Sequence, residues 1–411
     1  MANVIQRALC GGTSLVALAI AIRIGKLLTR YRLWRGHPRS LWGITPILTT
    51  TLLARSDRLL GIKGESLAFT SYYITQNFDR NLQSFITRRG LENNIYFYRL
   101  VLAWALLRYD FFNYFFDRGI LPANQLGQTS ELSILKRAGK RIYVYPYGAD
   151  IRTRERTLAL GPLNCCMDCP QPGKYCVCDE ATGQANIAAV SVYANALIGM
   201  GDMVDYIPGC RPMAYWPIDL LKIRYTGVSS MPAKLKIAHS TNHGVFKGSR
   251  LLESAVLTLQ QEGVAIELIK LSGVPHARVM ELFGEADIVA DNFIAGNHGY
   301  TALEAMAHGK AVLCYLRPGG MIERPAECPI INTHPDKLLE ALRWCVDNRS
   351  ELVRIGLRGR RYIERNHSQE AVAARLGRVY LETGHLPIRL AARLKSEIGS
   401  IEQRLATIPL G

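Results

Sequence analysis

The first sixty residues contain almost no acid. Asp57 stands there alone against nine Lys and Arg, so +8 of the formal +16 charge lies at that end of the chain. An imbalance of this size calls for a negatively charged partner. Cysteine is sparse as well: ten in 411 residues is too dilute for a disulfide scaffold and favours a reducing compartment. Long apolar runs are few, and only one, near the N-terminus, approaches the length of a membrane span. That excludes a polytopic membrane protein, and a 48% hydrophobic content excludes a disordered or collagenous one. Missing motifs narrow the field further. The sequence has no GxGxxG, no Walker lysine loop, no HExxH and no GxSxG, which argues against dinucleotide oxidoreductases, P-loop kinases, metalloproteases and α/β-hydrolases.

What remains is enough chain for two or three domains. Between Arg7 and Arg23 lie fifteen uncharged residues, followed by Lys26, Arg30, Arg32, Arg35 and Arg39. As a helix the uncharged run spans about 22 Å, short of the roughly 30 Å hydrocarbon core. Three readings stay open for residues 1–38: a short or tilted anchor or interfacial helix, a buried helix, and a cleaved signal peptide. The basic residues behind the run keep the body on the cytoplasmic face of a membrane, held peripherally on anionic lipid or by a single N-terminal anchor.

From Ser40 onward short apolar runs alternate with amphipathic stretches. LWGITPI, ESLAF, DFFNYFF and RIYVYPY read as strands, with helices at TTTLLARSDRLLG and near Phe97–Leu107. After a turn-rich passage at 220–232 the alternation restarts, with strands LKIAHS, AIELIKL, DIVADNF and AVLCYL and helices SRLLESAVLTLQQEG, HARVMELFGEA and TALEAMAHG. The expected fold is α/β, two Rossmann-like domains facing a cleft: 39–222 first, 233–384 second, and a C-terminal amphipathic helix at 385–411. The aromatic density from Tyr96 to Phe116 is core packing and not a base-stacking surface, so no nucleic-acid partner is expected.

Open parallel sheets bind ligands beyond the C-terminal ends of their strands. The loop Ala295–Thr301 meets that condition, and the N–H groups of Gly299, Tyr300 and Thr301 open a helix there, suited to a diphosphate. Glu304, one turn on, has the chemistry to accept hydrogen bonds from a vicinal diol such as a ribose. Lys247 follows the strand LKIAHS, where its charge would stabilise a departing phosphate. His239, Asn242 and His243 share that loop as further donors to the same ligand. In the first half Asp150 and Arg152 of YPYGADIR follow a strand; the carboxylate is placed to orient an acceptor hydroxyl or act as base, the guanidinium to hold an acceptor phosphate.

The run KIAHSTNHGVFKG, DIVADNF and GNHGYTALEAMAHGKAVLCYL resembles the donor-binding domain of GT-B glycosyltransferases, most of all the retaining family 4, over about residues 233–380. The resemblance implies a sugar nucleotide held mainly by the second domain and an acceptor held mainly by the first. It implies contact of the diphosphate with Lys247 and the Gly299–Thr301 backbone, contact of the ribose with Glu304, retention of anomeric configuration, and no catalytic metal. Two positions depart from the family pattern. Gly296 stands where the first of a pair of glutamates usually lies, with seven residues between it and Glu304, and Asn242 stands where an arginine usually precedes the lysine by five positions; Asn297, His298 or His243 are left to take over the donor sugar.

Five cysteines fall within Cys165–Cys178. Cys166 and Cys169 form a CxxC, Cys176 and Cys178 a CxC, with Cys165 spare; four thiolates on a tight hairpin match a closed structural zinc knuckle, with disulfides or free thiols as the alternatives. Taken together, the expectation is a membrane-associated enzyme of the hexosyltransferase class. It would move sugar from a nucleotide-diphosphate donor to a glycan or lipid-linked acceptor in polysaccharide biosynthesis. A degenerate sugar-nucleotide-binding protein and an epimerase on the same fold remain as rivals.

Overall fold

The computed structural model of the chain describes residues 2–72, 75–229, 234–241, 243–319 and 322–409, with side chains from residue 11 onward. Its strands are β1 (Arg39–Ile44), β2 (Lys63–Ala68), β3 (Arg80–Asn81), β4 (Phe111–Phe115), β5 (Arg141–Tyr145), β6 (Ala196–Gly199), β7 (Arg211–Pro212), β8 (Leu235–Ser240), β9 (Ile266–Leu271), β10 (Ile288–Ala290), β11 (Ala311–Cys314) and β12 (Ile331–Asn332). They form two sheets, in the orders β3-β2-β1-β4-β5-β6-β7 and β12-β11-β10-β8-β9. Every pairing in both is parallel.

The central strands are continuous apolar runs because helices cover both faces. Every residue of β4 and of β11 is buried, and Phe111, Phe112, Tyr114 and Phe115 pack in the first core. The helices follow the same logic. Ser249–Gln261 buries Leu252, Ala255, Val256 and Leu259, the spacing of one helical face. Tyr300–His308 is buried from Ala302 to His308 and ends at Gly309, whose φ of 80° supplies a left-handed cap.

The C-terminal end departs from the expected boundary at 384. Gln369–Thr383 lies within the span expected for the second domain, yet its buried Val372, Leu376, Val379 and Tyr380 enter the first core, as do Leu390, Leu394, Ile398 and Ile401 of the helix Ile388–Ala406. The chain therefore crosses between sheets twice, and the two crossings are bonded side by side: the Ile218 N–H donates to His367 O at 2.7 Å. The junction expected at 220–232 falls partly outside the described residues.

The N-terminal helix α1 (Ala2–Arg35) is longer than its apolar run. Residues Gly11–Arg35 are long and apolar enough to cross a membrane by length and composition. One side of α1 nevertheless packs on the helix Ile95–Arg108. A Cβ on Gly25 would stand 2.6 Å from Leu106 O, so only glycine permits that approach.

Candidate active site

In the second sheet the strand order reverses between β8 and β10, and the crevice beyond their C-terminal ends is the natural ligand site. Lys247 lies there. Its Nζ donates to Ser240 O at 3.1 Å, to Asp291 Oδ1 at 2.7 Å and to Thr301 Oγ1 at 3.1 Å. Asp291, the residue directly after β10, is fully buried and also accepts the Gly299 N–H at 2.5 Å. Burial raises its carboxyl, but the Lys247 charge and the bonds from Lys247 and Gly299 outweigh that, and it titrates below the ordinary aspartate value. One carboxylate thus holds two of the groups expected to meet a diphosphate.

The helix Tyr300–His308 presents its first turn to the same crevice, with Gly299 as its N-cap. The Tyr300 side chain points away, donating to Pro217 O at 2.6 Å, so this residue offers the crevice only its backbone. Glu304 faces in, bonded to His276 Nε2 at 2.5 Å. Burial raises the Glu304 carboxyl, and the hydrogen bond with Glu304 raises the His276 imidazole. His239 is spent structurally, its ring nitrogens on Ala290 O at 2.9 Å and Ser249 Oγ at 2.7 Å. Asn242 lies outside the described residues.

Both domains and the cysteine-rich insertion wall a cavity of about 470 Å³. Lys247, His243, His276, Asn297, His298, Thr301 and Glu304 line it from one side, and Tyr147, Arg152, Asp202 and Trp216 from the other. Tyr175 of the insertion reaches across, its ring 4.9 Å from that of His243 and 6.1 Å from Phe246. Arg152 lines the cavity braced by Asp202, to which its Nε and Nη2 donate at 3.0 and 2.9 Å. Asp150 is absent from the cavity wall. Its carboxylate accepts the N–H groups of Phe116, Tyr147 and Gly148 at 3.1, 2.9 and 2.9 Å and so shapes the loop that carries Tyr147 and Arg152 instead of reaching an acceptor. Burial pushes its pKa up to about 7.

The zinc expectation is not supported. Among the described residues no three His, Cys, Asp or Glu side chains gather as a metal site, and Cys165, Cys166, Cys169, Cys176 and Cys178 are free. The insertion is held by its backbone: Val177 N donates to Ala149 O, Cys178 N to Arg152 O, and Arg154 N to Cys178 O. These bonds tie the CxC segment to the 149–154 loop.

No protein-family model matches the sequence, and no curated protein matches it. Solved structures do resemble the fold. The chain is similar to a sucrose-phosphate synthase from Thermosynechococcus elongatus, with a TM-score of 0.56 at 12% identity over 84% of this chain and 98% of that one. It is also similar to the Anabaena protein HepE in complex with UDP-glucose, at 0.53 and 12% over 84% and 100%, and to a glycosyltransferase from Rickettsia africae, at 0.51 and 10% over 85% and 98%.

The chain has the GT-B glycosyltransferase fold. Within the GT-B cleft Gly296 has a conformation that disfavours a side chain. Its φ is 74°, in the left-handed region that side chains rarely adopt, and a Cβ would stand 3.0 Å from Cβ of Arg317. Arg317 in turn donates to Ala295 O at 3.1 Å and, across the cleft, to Leu163 O at 3.4 Å. Sequence reasoning missed Asp291, His276, Asp202 and Arg317. Asp291 carried a usable signal, a carboxylate at a strand end next to the candidate loop; the others are joined to the site only by folding.

Proposed function

We propose that this GT-B chain is a glycosyltransferase that moves a sugar from a nucleotide-diphosphate donor to a hydroxyl of a glycan or lipid-linked acceptor at a membrane surface, with retention at the anomeric carbon. The observation that carries the reading is the convergence of Lys247, the first turn of Tyr300–His308 and Glu304 on one cavity at the strand-order reversal. The diphosphate sits against Lys247 and the N–H groups of Tyr300 and Thr301, and Glu304 accepts the ribose hydroxyls beside His276. As the bond from the anomeric carbon to the diphosphate breaks, charge grows on the leaving oxygen next to Lys247, where a fixed cation in a water-poor cleft stabilises it most. The acceptor oxygen bonds to that carbon and its proton passes to the departing diphosphate. Asn297 and His298 face the position of the donor sugar.

The HepE complex contains UDP-glucose, so uridine diphosphate and its sugars are the first ligands to try. Calorimetric titration with a panel of nucleoside diphosphates and their sugars tests the reading, followed by assay for slow hydrolysis of the donor that binds. One tightly bound nucleotide and release of free sugar are expected. Binding without any turnover would favour a degenerate nucleotide-binding protein, which the closed Lys247–Asp291 pair and Gly296 would then explain. No binding at all would sink both.

A further inference from the structure

The outward side of α1 carries an unpartnered face. Val16, Ile20, Ile24, Leu27, Tyr31 and Trp34 are 59%, 52%, 44%, 65%, 58% and 56% exposed. At 3.6 residues per turn they fall within roughly 80° of one another, a stripe about 27 Å long. Exposed Arg23, Lys26 and Arg30 form a row along one edge of that stripe, and Arg35 stands at the other. Among the described residues none of these four cations has a carboxylate partner within ion-pair distance. Ile388, 89% exposed, extends the apolar surface beside Trp34, over which Arg389 is stacked.

The opposite side of α1 is fastened to the body. Ser14, Leu18, Ala21, Thr29 and Leu33 are buried. Arg32 donates through Nε and Nη2 to the fully buried Asp110, at 2.9 Å and 2.7 Å. Lys140 Nζ, itself buried, donates to Thr29 Oγ1 at 2.6 Å and reaches Gly25 O at 3.2 Å. A helix that left this seat to cross a bilayer would strand Asp110 in the interior without its cation and carry Arg23 and Lys26 into hydrocarbon, both strongly unfavourable.

We infer that α1 is an in-plane membrane-docking helix: it stays seated on the first domain and lays its apolar stripe on an anionic bilayer, with the basic row among the headgroups. A stripe of this width carrying Trp and Tyr at one end and a cationic border is the pattern of a helix that lies in the interface and does not span it. The unpaired cations select anionic lipid over a second copy of this chain, whose matching face would bring the same positive charges together. The inference deepens the membrane part of the proposed function and is independent of the donor site.

The test is flotation of the full-length protein with vesicles of phosphatidylglycerol and phosphatidylcholine, against phosphatidylcholine alone. Binding to the anionic vesicles is expected, reduced at least about tenfold both in Ile20→Ser/Ile24→Ser/Leu27→Ser and in Arg23→Gln/Lys26→Gln/Arg30→Gln, and reversed by alkaline carbonate. Binding that survives the apolar variant, or protein that resists carbonate extraction, overturns it. So does a dimer in the absence of lipid that the apolar variant dissociates, because the stripe is then a self-association face. Uridine diphosphate calorimetry on the same variants reads the donor site separately. Vesicle binding lost with nucleotide binding intact confirms a folded variant, whereas vesicle binding without nucleotide binding in the native chain removes the transferase reading and leaves this inference standing.

Discussion

Each wall of the cleft pairs a cation with a carboxylate, and the two pairs are built differently. On the first domain Arg152 sets a planar fork against Asp202, with two bonds between fixed partners. On the second, the Lys247 ammonium divides itself among Ser240 O, Asp291 and Thr301. A matched fork loses both bonds when it turns, whereas an ammonium exchanges one acceptor for another without reorienting. The arginine wall is therefore a brace, and the lysine wall is the more adaptable of the two, which suits the phosphate contact proposed for Lys247. The two aspartates differ accordingly: Asp202 lines the cavity, and Asp291 sits behind the lysine, out of solvent.

The sharpest way to break this contrast is to remove the lysine. Lys247→Ala should lower kcat/KM for donor turnover by about 10²–10³-fold, the usual cost of one preorganised charge on a leaving group; a loss under about threefold in steady-state kinetics would return Lys247 to a structural role. Glu304→Ala comes next. Loss of a charged acceptor for the ribose hydroxyls should weaken nucleotide binding by about 10- to 100-fold in calorimetry, and a deoxyribose nucleotide should discriminate less between the variant and the native chain. Asp291→Asn reverses the sign. Freed of its internal partner, Lys247 should bind uridine diphosphate about tenfold more tightly, while weaker binding would mean that Asp291 positions the lysine instead of competing for it.

The smallest effect concerns the brace side. Asp150 has a folded-state pKa raised from 3.8 to about 7, so between those values the native state holds more protons than the unfolded chain, and stability falls as pH rises through that window. Asp150→Asn should flatten the decline in Tm between about pH 4 and pH 7 by a few degrees. An unchanged slope in scanning calorimetry would assign the native decline to other buried carboxyls such as Asp57, which burial pushes up to about 6.

Much of the fold was legible because the periodicities are strong. DFFNYFF and AVLCYL are too apolar and too short for anything but central strands, and both are. SRLLESAVLTLQQEG carries its stripe at helical spacing and forms the helix expected of it. The candidate loop was legible for the same reason, since a glycine-rich turn between a strand and a helix falls at a strand end in any open parallel sheet. Lys247, Thr301 and Glu304 accordingly share one cavity. The position of Asp150 after a strand says where the backbone goes and not which way the carboxylate turns; three N–H groups supplied by Phe116, Tyr147 and Gly148 decide that. The cysteine spacing is subject to the same limit, since ligand spacing is a statement about sequence and metal binding a statement about geometry.

The sequence by itself determined the alternation of strands and helices, the two parallel sheets, the phosphate-suited helix start at Gly299 and the basic bias of the N-terminal end, all of them local patterns or counts. Tertiary structure alone decided that Asp291 faces Lys247, that His276 faces Glu304 from 28 residues away, that Gln369–Thr383 returns to the first core, and that α1 is bolted to the body through Asp110 and Lys140. Those are long-range pairings, and which of many similar polar side chains meet is set by how the surrounding apolar surfaces pack, a property spread over the whole chain and carried by no single stretch of it.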